Sequence, residues 1–181
     1  MATVLVPLAQ GCEELEAVTI IDLLRRAEVT VVVAGLATGP VTASRGVILM
    51  PEVTLDEVLT HDFDMVVLPG GLGGAQRLEA DGRITDILRR MAAAGRYTAA
   101  ICAAPKVLAA AGLLEGRQAT AYPGTLDGIA GLDLSAAAVV RDGAVITSRG
   151  PGTAMDFALT LVELLCGRAK RDTVEAALQR G

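Results

Sequence analysis

The sequence has no Trp, one His, two Phe and two Tyr, so aromatic residues make up only 2% of its 181 positions. A core must therefore be built from Ala, Val, Leu and Ile, and a hydrophobic content of 52% is high enough to exclude disorder. Three cysteines, Cys12, Cys102 and Cys166, give no even pairing and no C-x-x-C, so no disulfide framework is expected. A lone His with scattered Cys cannot supply four zinc ligands, and no metal or other cofactor is expected. A formal charge of −5, with no Lys/Arg run and no aromatic ladder, argues against a nucleic-acid partner. Neither G-x-G-x-x-G nor G-x-x-x-x-G-K-[ST] occurs, which leaves nucleotide binding without a motif. Met1-Ala2-Thr3-Val4 has no basic region of the kind that opens a signal peptide. No apolar stretch reaches the ~20 residues that span a bilayer. These absences predict a soluble, cytoplasmic protein without a membrane partner.

What is present is an alternation of short apolar runs and helical patterns. Strands are expected at 3–8, 29–34, 41–43, 47–50, 65–68, 97–101, 118–121, 137–140 and 145–148. Helices are expected at 13–27, 81–94, 105–111, 153–166 and 173–179, with Thr54-Leu55-Asp56-Glu57 spaced as a capping box. Gly95 and Gly112 fall where helix C-caps belong. Runs such as Val66-Val67-Leu68 suit strands buried on both faces, which means a parallel sheet covered by helices. Residues 139–148 alternate around Asp142-Gly143, a hairpin-turn dipeptide. With no linker, repeat or low-complexity tract, residues 1–181 read as a single α/β domain.

In such sheets ligands bind beyond the carboxyl ends of the strands. Three segments stand there: Ala9–Glu16, Pro69–Gly74 and Cys102–Pro105. Cys102 lies between a strand and a helix, with Ala100 and Ala104 two positions to either side. That is the small-residue spacing of a nucleophile elbow. A thiol at a helix N-terminus is expected to have a lowered pKa, although Cys102 could equally be a small buried hydrophobe. The glycine loop can bring backbone N–H groups close to a ligand oxygen, and Gly71 with Ala103 would form an oxyanion hole. The plainer reading of that loop is a strand–helix turn. At 100° per residue Glu16 falls on the inward stripe of Ile20, Leu23, Leu24 and Ala27, where a carboxyl should have a raised pKa. Glu14 falls on the outer side with Arg25, solvated or paired. Leu15, Val18 and Ile21 form a second apolar face, read as a homodimer contact. The single His61 precedes the strand 65–68 and so lies at the far edge of the sheet from Cys102. That placement argues against proteolysis or glutamine hydrolysis by a Cys–His pair.

Together these segments resemble the ThiJ/PfpI superfamily, in the branch of the Parkinson-disease-associated protein deglycase. The resemblance rests on Gly11–Glu16, Arg25-Arg26-Ala27, Val33–Leu36, Ser44-Arg45, Val66–Gly71, Ala100–Ala103 and Thr147–Thr153, in that order over nearly the whole chain. It implies a flavodoxin-like sandwich, a homodimer through the first helix, a reactive and oxidation-prone Cys102, a protonated Glu16 beside it, and oxyanion amides at Gly71 and Ala103. It also implies that Arg45, Arg149 and Pro151 lie in the pocket and the dimer seam. One departure is Tyr122, which stands in Ala121-Tyr122-Pro123 where human-type members carry His. A phenol with pKa near 10 is a poor base at neutral pH, so proton transfer falls to Glu16 or water. Met50 replaces a second, peripheral family Cys, and Cys12 is a candidate resolving thiol. The resemblance implies a cofactor-independent glyoxalase or protein deglycase, acting through Cys102 on methylglyoxal and its adducts with proteins. The alternative is a cysteine-based oxidative-stress sensor or redox-regulated chaperone without significant turnover.

Overall fold

Apolar, β-branched runs make the middle of the molecule. In the computed structural model, which describes residues 1–180, the first half comprises β1 (Thr3–Leu8), α1 (Glu14–Arg26), β2 (Thr30–Gly35), β3 (Val41–Thr42), β4 (Ile48–Leu49), β5 (Val53–Thr54), α2 (Leu55–Val58) and β6 (Met65–Leu68). The second half comprises α3 (Leu72–Ala80), α4 (Gly82–Ala93), β7 (Tyr97–Ile101), α5 (Pro105–Ala110), β8 (Gln118–Ala119), β9 (Asp133–Leu134), β10 (Val139–Asp142) and β11 (Val145–Ser148). A 3-10 turn at Pro151–Thr153 then leads into α6 (Ala154–Cys166) and α7 (Arg168–Ala177).

Seven strands form one sheet in the order β10-β11-β7-β6-β1-β2-β5. Every pairing in it is parallel except β10 with β11. Helix α6 packs on both α1 and α7, and α3, α4 and α5 form a second group, so both faces are covered. This is a flavodoxin-like α/β sandwich. All four residues of β6 are buried, which is why its sequence is continuously apolar rather than alternating. Phe157 heads a core that is otherwise aliphatic, with Leu5, Leu8, Ile20, Leu24, Leu55 and Leu68 among its largest fully buried side chains. Each such side chain contributes about 1.5–3 kcal/mol relative to exposure.

The sequence expectations for β1, β6, β7 and β11 coincide with the observed strands, and α1 and α4 differ by a residue at each end. Asp142-Gly143 turns the β10–β11 hairpin, with Gly143 at φ +61°. Glu57 accepts the Thr54 N–H at 2.7 Å, so the capping contact is made. The main difference is α3, which begins at Leu72 where a glycine loop was expected. Gly73 and Gly74 are poor helix formers in isolation. Here their missing side chains let the helix backbone lie against the 10–12 segment: a Cβ on Gly74 would sit 2.7 Å from the Cys12 Cα. The run expected at 137–140 is shifted to β10, and α7 starts five residues early, after Gly167 at φ +84°. No described helix is long and apolar enough to cross a membrane.

Candidate active site

The strands β1, β6 and β7 lie side by side, so the segments after their carboxyl ends meet. Cys102 follows β7 directly and adopts φ +63°, a left-handed conformation that a side-chain-bearing residue holds only when its surroundings compel it. They do so from both sides. Its N–H donates to the Ser148 carbonyl at 2.9 Å, and its carbonyl accepts the Tyr122 N–H at 2.9 Å. Ala100 and Ala104 are fully buried, leaving no room for larger neighbours. Pro105 then opens α5, where its missing N–H is no loss.

Glu16 comes from the inner stripe of α1 and is completely buried. Its Oε2 accepts the Gly70 N–H at 2.8 Å, while Oε1 has no partner among the described residues. The carboxyl lies next to the Cys102 thiol, close enough for each group to shift the other's titration. Gly70 is confined to glycine by this contact. A Cβ there would lie 2.6 Å from both the Cys102 Cβ and Glu16 Oε2. Burial pushes the Glu16 carboxyl up to about 7, and the hydrogen bonds from Gly70 and Cys102 hold it back.

The backbone N–H groups of Gly71 and Ala103 lie beside the Cys102 sulfur, where they favour its ionised form. The lowered thiol pKa expected from the helix N-terminus is nevertheless corrected. Burial, and next the negative charge of Glu16, push the thiol up to about 12 against those two amides. The reason is physical: α5 has only six residues, and its dipole meets a buried sulfur facing a carboxylate. Cys102 is 8% exposed, and that exposure faces a cavity of about 770 Å³. Glu13, Arg45, Gly71, Ala103, Tyr122 and Pro151 line the same cavity.

Not every expected residue gathers there. Arg149 lines two adjoining cavities, of about 410 and 250 Å³, with Tyr122 but without Cys102. One of its guanidinium nitrogens donates to the Ala136 carbonyl at 2.9 Å. Tyr122 is 54% exposed and stands between the three spaces. Cys12 is fully buried beneath Gly74 and its thiol is raised to about 11, mainly by that burial, so it does not present a resolving thiol. Cys166 is exposed at the end of α6. His61 is exposed before the amino end of β6, the end away from Cys102.

Two contributors escaped the sequence reading. Glu14 is not solvated on the outer face of α1. It is buried under the β3–β4 hairpin, where it accepts from the Ser44 hydroxyl at 2.9 Å and the Arg45 N–H at 2.8 Å. It thereby fixes the segment that carries Arg45 to the cavity. Arg25, expected beside it, pairs instead with Glu52. Gly70 is the second, visible in the glycine run but indistinguishable there from its neighbours. Along α1, Leu15 and Val18 are about half exposed and Ile21 is partly buried, so the second apolar face is present.

A cysteine on a left-handed turn, at the carboxyl edge of a parallel sheet, with two amides and a buried carboxyl around its sulfur, has the strand–turn–helix geometry of a nucleophile elbow in an α/β protein. The profile of the DJ-1/PfpI family matches residues 2–164, and the chain belongs to that family. Protein dj-1beta of Drosophila melanogaster is 44% identical over 177 residues, covering 96% of this chain and 95% of that one. The crystal structure of Drosophila melanogaster DJ-1beta superposes with a TM-score of 0.95 at 42% identity, covering 99% of this chain and 98% of that one. A Caenorhabditis elegans relative named glutathione-independent glyoxalase DJR-1.2 is 36% identical over 177 residues, covering 96% of this chain and 92% of its own. The chain spans only 39% of the length of the Arabidopsis thaliana Protein DJ-1 homolog B, at 45% identity over 92% of this chain.

Proposed function

We propose that this protein is a glutathione-independent glyoxalase that converts small 2-oxoaldehydes such as methylglyoxal to 2-hydroxy acids, with Cys102 as nucleophile and Glu16 as the group that moves protons. The observation that carries this reading is the unpartnered Oε1 of a fully buried Glu16 in contact with the only cysteine that opens onto the large cavity. A base with pKa about 7 is well matched to neutral pH.

Ionised Glu16 takes the thiol proton as the sulfur bonds to the aldehyde carbon. The high pKa of Cys102 makes this concerted removal necessary, because little thiolate exists at rest. The developing oxyanion meets the Gly71 and Ala103 N–H groups, then takes the proton back from Glu16 to give a neutral hemithioacetal. Glu16, ionised again, removes the hydrogen from that carbon and returns it to the neighbouring carbonyl carbon, while the hydroxyl proton passes to the neighbouring oxygen, which produces a thioester of lactate. Water cleaves the thioester to lactate and restores the thiol. The sum is one aldehyde and one water giving one hydroxy acid, with no net oxidation. The same thiol can attack the hemithioacetals and aminocarbinols that methylglyoxal forms on protein side chains, which is the deglycase reading. Arg45 and Pro151 border the substrate, and Tyr122 offers a phenol as donor rather than base. Arg149 contributes from the adjoining space.

The exposed Leu15 and Val18 of α1, with the exposed Val47, Ile48 and Met50, supply apolar surface suited to a homodimer acting in the cytoplasm. A resting redox sensor is the weaker reading, because oxidation of a thiol depends on its thiolate fraction. The purified protein, given methylglyoxal without glutathione, should form lactate, and Cys102→Ser should form none. Absence of turnover, or turnover that survives Cys102→Ser, refutes the reading.

A further inference from the structure

Among the described residues seven polar side chains are buried, and three of them, Thr147, Ser148 and Thr153, gather on β11 and the turn that follows it. A buried hydroxyl is unfavourable unless bonded, so such a cluster marks a place where geometry is being held. Thr147 Oγ1 accepts the Thr120 N–H at 2.9 Å, which ties β11 to the segment running into Tyr122. Ser148 Oγ lies 2.8 Å from the Ala138 carbonyl and 2.7 Å from Thr153 Oγ1. Thr153 Oγ1 in turn accepts the Gly150 N–H at 3.1 Å and lies 2.9 Å from the Gly150 carbonyl. The single Thr153 hydroxyl proton can serve the Gly150 carbonyl or the closer Ser148 Oγ; given to Ser148, it completes a series of Gly150 N–H to Thr153, Thr153 O–H to Ser148 and Ser148 O–H to Ala138.

The main chain of Ser148 ends in the carbonyl that takes the Cys102 N–H at 2.9 Å. That bond restrains the amide side of a residue held at φ +63°. The other end of the hydroxyl series, at Gly150 and Thr153, brackets Pro151, a wall of the Cys102 cavity. We propose that Ser148 and Thr153 are positioning residues of the Cys102 site. Their buried hydroxyl pair holds the end of β11 so that the Ser148 carbonyl keeps the cysteine in its left-handed turn, with the sulfur on the Gly71 and Ala103 amides. The inference rests on Cys102 being the nucleophile of the proposed reaction, but the geometry it concerns is that of the thiol itself.

The test compares wild-type protein with Thr153→Val, Ser148→Ala and Thr153→Ser. Alkylation of Cys102 by iodoacetamide is followed by mass spectrometry, with Cys166 as the internal control, and kcat and KM for lactate formation are measured alongside. Thr153→Val and Ser148→Ala should slow Cys102 alkylation and kcat by about tenfold to a hundredfold, the scale of an ångström of misplacement, with KM changed far less. Thr153→Ser, which keeps the hydroxyl, should remain within about twofold of wild type, and Cys166 should react equally in all four. A folded Thr153→Val with wild-type alkylation and kcat overturns the proposal, as does a Thr153→Ser as slow as Thr153→Val. If Thr153→Val does not fold, Ser148→Ala decides by the same criteria; loss of fold in both makes the pair purely structural and also overturns it. Wild-type protein that forms no lactate, while the alkylation pattern holds, refutes the reaction and leaves this inference standing.

Discussion

Gly70→Ala separates the packing of the site from its chemistry. The added Cβ would lie 2.6 Å from the Cys102 Cβ, 2.6 Å from Glu16 Oε2 and 2.8 Å from the Ile101 carbonyl, far inside van der Waals contact. Two of those three neighbours are main chain or a Cβ bound to it, so relief requires a backbone shift, and overpacking of that kind costs about 1–3 kcal/mol. The shift also breaks the 2.8 Å bond from the Gly70 N–H to Glu16, the main-chain donor to its carboxyl. A buried acceptor left unmade adds about 1–3 kcal/mol. The sum, about 2–6 kcal/mol, should lower Tm by roughly 5–20 °C for a domain of this size. Losing a bond that holds the Glu16 pKa down should also move the acidic limb of the pH–rate profile above pH ~7. Calorimetry and a pH series of lactate formation read the two effects separately. Gly82→Ala is the control, because a Cβ there meets nothing within 4 Å and the site begins a helix. It should leave stability unchanged or raise it by up to about 1 kcal/mol. A Gly70→Ala protein with wild-type Tm and an unmoved pH profile would refute the description of the Glu16–Gly70–Cys102 contact.

The folded-state pKa of Glu16, about 7, lies above the usual 4.5, so its neutral form is favoured by folding and its contribution declines as pH rises from about 4.5 to 7. Glu16→Gln, which cannot ionise, should therefore gain stability relative to wild type by up to about 3 kcal/mol between pH 5 and pH 8 in urea unfolding; a constant difference contradicts the raised pKa. Val18→Glu places a charge on the exposed apolar face of α1, and light scattering should show the dimer dissociating to a monomer whose Cys102 still alkylates; a wild type that is already monomeric removes the proposed interface. Maleimide labelling of the folded protein should modify Cys166 first, Cys102 more slowly and Cys12 only after unfolding, and early labelling of Cys12 contradicts its burial.

The central strands were readable because a parallel strand buried on both faces leaves an unbroken apolar run, as Met65–Leu68 does. The two-residue strands β5 and β9 are too short to show any period, and they exist only because neighbouring backbone pairs with them. Helix α3 was hidden because its opening glycines signal a loop locally, and only the close approach of the 10–12 segment reverses that signal. At the site, the turn at Cys102 and the inward Glu16 follow from residue size and helical phase. Glu14 does not, since nothing in a helical wheel reveals that the 44–47 segment folds over it. The thiol pKa is illegible in the sequence for a related reason. The helix dipole can be read from position, whereas the charge of Glu16 acts on Cys102 only once the fold has brought them together.

The most direct test of the Glu16–Cys102 pair is the pH dependence of kcat/KM for lactate formation from methylglyoxal, in wild type and Glu16→Gln. Transfer of the thiol proton to Glu16 predicts a rate that rises through a single ionisation near pH 7, and a loss of about 10²–10⁴-fold in Glu16→Gln across the range. A rise centred near the free-thiol value of about 8.5 and unaltered in Glu16→Gln would mean that the sulfur ionises alone, contradicting the account.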